Sequence, residues 1–394
     1  MATCSHWSSR GSVRVAAAVA ALVLTAAPLA ARAAMLEPVE SQAEGTNGVS
    51  GLHGVLAVIV SPDGRDVYAA AANDDAVTAF RRDPASGALT QTQVVKDGVD
   101  GIDGLAYASS LALSPDGKHL YVTGSTDNAV AVFGRDATTG ALTFIEAQKE
   151  GIAGVDGLKF ARSVALSPDG AFVYVAGQTD DAVAVFKRNG LTGWLSFVEV
   201  QREGVNGVSG IAGPLAITIS PDGANLYLAS GDESAVAVFK RDSATGHLRQ
   251  ADLEEEGPHD FGLAGTHCVA VSPDGAFVYA TGQTDNAIAT FTRNKRTGTL
   301  TFSDVLVQGL DGLDGMTGAL WVTLSPDGSK LFVASTHDNS LVAFTRDVAT
   351  GALHFAEKQN GGAFARGVAV SPDGQNVYTA GASSNAIYVF RVNQ

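Results

Sequence analysis

Three residues of this chain combine a reactive side chain with a position that the surrounding sequence does not repeat: Arg162, His267 and Arg366. Each stands five residues ahead of a Ser-Pro-Asp-Gly tetrapeptide, where the other copies carry Leu56, Ser109, Leu215 and Leu320. Two guanidinium groups can clamp a carboxylate through paired N–H donors. An imidazole titrates near neutrality and serves as general acid or base. The three are therefore the expected catalytic set, suited to opening or closing a lactone. The segment before His267 (Pro258, His259, Asp260, Phe261, Gly262) departs furthest from the repeat, and Cys268 follows it.

A second set is acidic. Asp100, Asp103, Asp156, Asp311 and Asp314 lie in the near-identical glycine-rich segments 98–105, 151–158 and 309–316. Carboxylates and carbonyls on such loops suit Ca²⁺. The equivalent loops offer only Asn47 and Ser50, or Asn206 and Ser209, and Asx-Gly pairs form good turns without any ion. A calcium-binding scaffold and a purely structural role both stay open. The pairs Asp74-Asp75, Asp127-Asn128, Asp180-Asp181, Asp285-Asn286 and Asp338-Asn339 recur so regularly that they read as scaffold. No Gly-x-Ser-x-Gly elbow, P-loop or dinucleotide-binding fingerprint is present.

The metre of the repeat says which elements hold these residues. Ser-Pro-Asp-Gly begins at Ser61, Ser114, Ser167, Ser220, Ser272, Ser325 and Ser371, at intervals of 53, 53, 53, 52, 53 and 46 residues. A period near fifty signals a repeat architecture rather than a pair of domains. One unit reads as four short strands. Ser163–Ser167 is apolar on both faces, and Phe172–Ala176 is rich in β-branched and aromatic residues. Ala182–Phe186 and Trp194–Val200 follow after polar turns. Four antiparallel strands with no helical period make a propeller blade. The fold class expected is all-β, a single seven-bladed β-propeller spanning residues 34–394. After its third strand the seventh unit runs out of chain, while Leu36–Gln42 aligns with the fourth strand Leu142–Gln148. The N-terminal segment should therefore complete the last blade and close the ring, leaving no open sheet edge. The inbound loops and the second-to-third-strand turns then share one face, around the channel mouth, with Arg162, His267 and Arg366 at its rim.

The run Val-Ala-Leu-Ser-Pro-Asp-Gly (164–170), with Val-Tyr-Val-Ala-Gly (173–177) and Asp-Ala-Val-Ala-Val-Phe-Lys-Arg (181–188), resembles the bacterial lactonase-type seven-bladed propellers. It is also similar to the related YVTN repeats. The likeness covers nearly all of residues 35–394, but the matching residues form turns and strands. It implies the fold directly. Among activities it implies 6-phosphogluconolactone hydrolysis or muconate lactonisation, without assigning either to particular residues.

Targeting and charge narrow the setting. Arg10 and Arg14 precede the apolar run Val15–Leu24, and Ala31-Arg32-Ala33 offers small residues where a signal peptidase reads them. A signal peptide of residues 1–33 is expected, with export to the periplasm or beyond. Its removal takes away three arginines and no acid, so the formal charge of −15 becomes −18. Nucleic acid and anionic membrane would repel such a protein. Cys268 alone remains in the mature part, so no internal disulfide can form. The expected partner is a small molecule or protein ligand at the channel face of a monomer. A lactone-processing enzyme is the alternative, and Ca²⁺ is the one cofactor the composition suggests.

Overall fold

The computed structural model describes residues 34–257 and 262–393. The signal segment and His259 lie outside them. The described residues form seven four-stranded antiparallel sheets, six with their strands in chain order and one in which the N-terminal strand 36–43 is added outside the last three strands. Blade three, for example, comprises Ala161–Leu166, Phe172–Gly177, Ala182–Arg188 and Leu195–Arg202. The second strands are buried throughout except at Lys330, and the third nearly so. The apolar cores lie between neighbouring blades, as where Tyr121 and Val132 of blade two meet Val173 and Phe186 of blade three. Among the described residues no helix is long and apolar enough to cross a membrane.

The Ser-Pro-Asp-Gly turn owes its recurrence to a small closed network. Ser167 Oγ donates to Asp169 Oδ1 at 2.5 Å and accepts the Phe172 N–H at 3.0 Å. Gly170 takes φ of 67°, which costs a side-chain-bearing residue energy, while its N–H bonds the Ser167 carbonyl at 2.8 Å. Serine and aspartate thus satisfy the donors left free where one strand hands over to the next.

The blades are joined by a buried clasp. The arginine ending each third strand reaches back to the preceding blade. Arg188 Nε donates to the Tyr121 hydroxyl at 2.9 Å, Nη1 to the Gly170 carbonyl at 3.0 Å, and Nη2 to Asp116 at 3.1 Å. Arg82, Arg135, Arg241, Arg293 and Arg346 repeat the pattern onto Tyr378, Tyr68, Tyr174, Tyr227 and Tyr279. Between blades six and seven, Phe332 and Val392 replace the tyrosine and the arginine, and both join an apolar cluster with Leu36.

The ring closes as the sequence predicts. Leu36–Ala43 pairs antiparallel with Ala386–Val392, Leu36 opposite Val392 and Ala43 opposite Ala386. The N–H groups of Met35 and Leu36 donate to Glu357 of blade six at 2.9 and 2.6 Å. Equivalent ties run from Leu89 N–H to Glu40 and from Leu195 N–H to Glu146, both 2.6 Å.

Removing one clasp leaves a buried hydroxyl and a carboxylate without their cation, so Arg188→Ala should cost about 3 kcal/mol in urea-unfolding free energy. Burial works to raise the Asp116 carboxyl, but Ser114, the Lys118 N–H and Arg188 outweigh it and bring it to about 2. A carboxyl depressed on folding stabilises above its unfolded value and loses that contribution as pH falls through the folded one. Circular dichroism should therefore show the native sheet signal lost between about pH 4 and pH 2, with Arg188→Ala failing at the higher end.

Candidate functional site

The position shared by Arg162, His267 and Arg366 is a β-bulge. Pairing between the first two strands of blade three slips between Ala161 and Ser163, so Arg162 is the residue left over. The same slip falls at His267, between Thr266 and Cys268, and spans Arg366 and Gly367 in blade seven. A bulge re-aims the side chain it carries. At this position Leu56, Ser109 and Leu320 are buried. Ser109 is absorbed by hydrogen bonds to Thr123 Oγ1 at 2.9 Å and Ser125 Oγ at 2.8 Å, and is no free nucleophile.

Two residues before each bulge the backbone turns through positive φ. Gly54, Gly213, Gly265 and Gly318 occupy this site in four blades; Tyr107, Phe160 and Phe364 occupy it in the others at φ of 59°, 51° and 56°. The N–H at this site is held from the preceding blade, where the second residue of the Asp-Asn turn accepts it. Asp75 takes Tyr107 N–H at 2.7 Å, Asn128 takes Phe160 at 2.8 Å, and Asn339 takes Phe364 at 2.7 Å. Asn385 does the same for Gly54 across the ring closure, at 2.8 Å. The recurrent acidic turns are thus scaffold that aims the mouth. Each aromatic in the left-handed region costs about 1–2 kcal/mol that glycine would not.

The three predicted residues converge. Arg162 and Arg366, both half-buried, follow Phe160 and Phe364 in the repeated tripeptide Phe-Ala-Arg. The Tyr107 hydroxyl interacts electrostatically with Arg162, and the Arg366 guanidinium lies 5.9 Å from the Phe364 ring centroid. Among the described residues neither arginine has an ion-pair partner. Burial, and for Arg366 the field of Arg162, hold both guanidinium groups below their ordinary range. His267 is 5% exposed, and its buried Nδ1 has no hydrogen-bond partner among the described residues. Burial first, then Arg366 and Arg162, push the imidazole well below its usual 6.5, so it is neutral at pH 7. A neutral imidazole with an unpartnered nitrogen, in the field of two uncompensated cations, can accept a proton once an anion is bound.

Trp321, like Tyr107, Phe160 and Phe364, is a residue sequence reasoning missed. Its ring packs against His267 with centroids 6.5 Å apart, nearly edge-on. It also lines two cavities of about 290 and 300 Å³ along the channel. The signal is there in the repeat: the corresponding positions hold Ala57, Ser110, Ser163, Ala216, Cys268 and Gly367, all small. Cys268 is buried, which pushes its thiol up to about 12, so it is unreactive.

The aspartates proposed for calcium fall on three blades and are not brought to one place. Asp103 bonds Lys149 at 2.6 Å, Asp156 bonds Arg202 at 2.8 Å, and Asp314 bonds Lys358 at 2.5 Å. Asp100 and Asp311 are exposed turn residues at φ of 53° and 49°. Carboxylates of Asp97, Asp103 and Asp127, and of Glu150, Asp156 and Asp180, approach one another within 4.8 Å. The protein's own ammonium and guanidinium groups stand at both clusters.

The sequence matches the lactonase seven-bladed β-propeller family over residues 57–209, 199–310 and 305–394. The chain belongs to that family. A 6-phosphogluconolactonase of Pectobacterium carotovorum is 26% identical over 60% of this chain and 66% of its own length. An uncharacterised protein of Staphylococcus aureus is 28% identical over 50% of this chain, which spans about half (54%) of that relative. The periplasmic gluconolactonase of Pseudomonas aeruginosa superposes with a TM-score of 0.62 at 24% identity, covering 77% of this chain and 85% of that one. That likeness is one of fold.

For this lactonase-family propeller, internal cations at the acidic loops predict indifference to calcium. EDTA or a few millimolar Ca²⁺ should leave the melting temperature within about 1 °C. A rise of several degrees with Ca²⁺ would instead make the loops an ion site.

Proposed function

We propose that this protein is an exported lactonase-family propeller whose channel mouth binds a small carboxylate-bearing molecule and opens or closes its lactone. The observation that carries the reading is the pair Arg162 and Arg366, half-buried, free of carboxylate partners among the described residues, and beside the unpartnered Nδ1 of His267. Two buried like charges are unfavourable until an anion joins them, and that preference is a binding site. The residues 1–33 pattern supports export, and the named location of the Pseudomonas aeruginosa gluconolactonase agrees with it. A phosphorylated sugar lactone is a cytoplasmic metabolite, so an unphosphorylated lactone suits an exported enzyme better. The strong negative charge argues against nucleic acid and anionic membrane as partners, and the closed ring suits a monomer.

In hydrolysis, the His267 imidazole takes a proton from water as its oxygen attacks the lactone carbonyl. The arginines face the negative charge that develops on the carbonyl oxygen. The ring C–O bond then breaks, and the departing alkoxide recovers the proton from the imidazolium, giving the hydroxy acid. Charging the imidazole beside two cations is feasible because the substrate's own charge offsets them.

Against a panel of unphosphorylated lactones assayed by acid release, His267→Ala should lower kcat/KM by about 10²–10⁴. Activity should hold as pH falls below 6.5, because the base is deprotonated until well under that value. Arg366→Gln removes a cation from beside the imidazole, so the acid limb should move to higher pH. Undiminished turnover by the alanine variant, or no turnover of any lactone, would remove the catalytic assignment.

A further inference from the structure

Tyr107, Phe160 and Phe364 are held in a conformation that four other blades reach with glycine. Nothing in the fold requires this, since Gly54, Gly213, Gly265 and Gly318 make the same turn with the same interblade hydrogen bond. Their rings are not core: Tyr107 and Phe160 are half-buried, and Phe364 is 36% exposed. Two of them stand two residues before the arginines that lack ion-pair partners among the described residues, and the hydroxyl of the third lies in the field of one of those arginines. Tyr107 and Phe160 stand with centroids 5.9 Å apart and planes inclined at 38°. Strained residues that the scaffold does not need, gathered at one mouth, point to a ligand.

The side chains lining the 290 Å³ cavity beyond the rim are mostly apolar. The 290 Å³ cavity runs along the first strands past Leu56, Val58, Leu111 and Val368, with the Trp321 ring in its wall. Its hydroxyls are few, and Ser110 Oγ already accepts the Val164 N–H at 3.4 Å. A polyhydroxy acid placed here would leave hydroxyls without partners. A flat unsaturated ligand would meet aromatic faces and apolar walls instead.

We propose that Phe160 and Phe364, with Tyr107 and Trp321, make the site selective for aryl carboxylates and aryl-fused lactones over sugar acids. This rests on the carboxylate reading of Arg162 and Arg366 and adds the class of molecule. The rim is a specificity device set on the glycine position of the repeat, which is why it can be removed without harming the fold.

Isothermal titration calorimetry with trans-cinnamate, gluconate and butanoate separates the two claims. The native protein should bind cinnamate about tenfold or more tighter than gluconate. Phe160→Gly and Phe364→Gly should each weaken cinnamate about fivefold, leave butanoate within about twofold, and keep or raise the melting temperature. Gluconate binding as tightly as cinnamate, or glycine variants retaining cinnamate affinity, overturns the aryl selectivity while butanoate binding leaves the carboxylate site standing. If neither cinnamate nor butanoate binds, or Arg162→Gln leaves butanoate binding unchanged, the carboxylate site itself falls, and the selectivity with it.

Discussion

The structure depends on a cation buried between blades. An arginine side chain that is 4% exposed or less would be ruinous without compensation, and each clasp supplies it with a carboxylate, a phenol and a carbonyl. The geometry fixes three things at once: the end of a third strand, the Ser-Pro-Asp-Gly turn of the same blade, and the aspartate of the blade before. Neighbouring blades are therefore set at one relative angle, and repeating that angle carries the ring to closure. Rigidity at this face lets the opposite one hold a strained arrangement.

At the mouth the same economy of parts does different work. The Asp-Asn turns fix each inbound strand through one hydrogen bond to a residue at positive φ, and a bulge two residues later points a side chain at the channel. Every blade has the device. Only the residue carried at each position changes, from glycine to aromatic and from leucine to arginine or histidine. Side chains can thus vary at the mouth without disturbing the turn that presents them.

How far this could be read from the sequence follows from what kind of signal each feature leaves. Seven Ser-Pro-Asp-Gly turns and the likeness of Leu36–Gln42 to Leu142–Gln148 specify local geometry, and local geometry accumulates into the ring. Arg162, His267 and Arg366 stood out because they break a repeat, and the structure brings them within one another's field. Trp321 breaks it equally, as do Tyr107, Phe160 and Phe364. They passed unnoticed because a large apolar residue beside a strand looks like core until its backbone angle and exposure are known. The loop aspartates were harder still. Lys149, Arg202 and Lys358, which compensate them, sit on outer strands some 45 residues away in sequence. Only three-dimensional pairing reveals that the positive charge is already present.

The junction between blades six and seven, where both chain ends meet, is held by Leu36, Phe332 and Val392 rather than by an arginine. Six joints of the ring are thus ionic and the seventh is oily. Protonation strips the counter-ion from the six, while at the seventh it reaches only Glu357, which holds backbone N–H groups rather than a cation. Cooling weakens apolar burial and spares the ion pairs. The ring has no single weakest joint, and acid and cold should part it in different places.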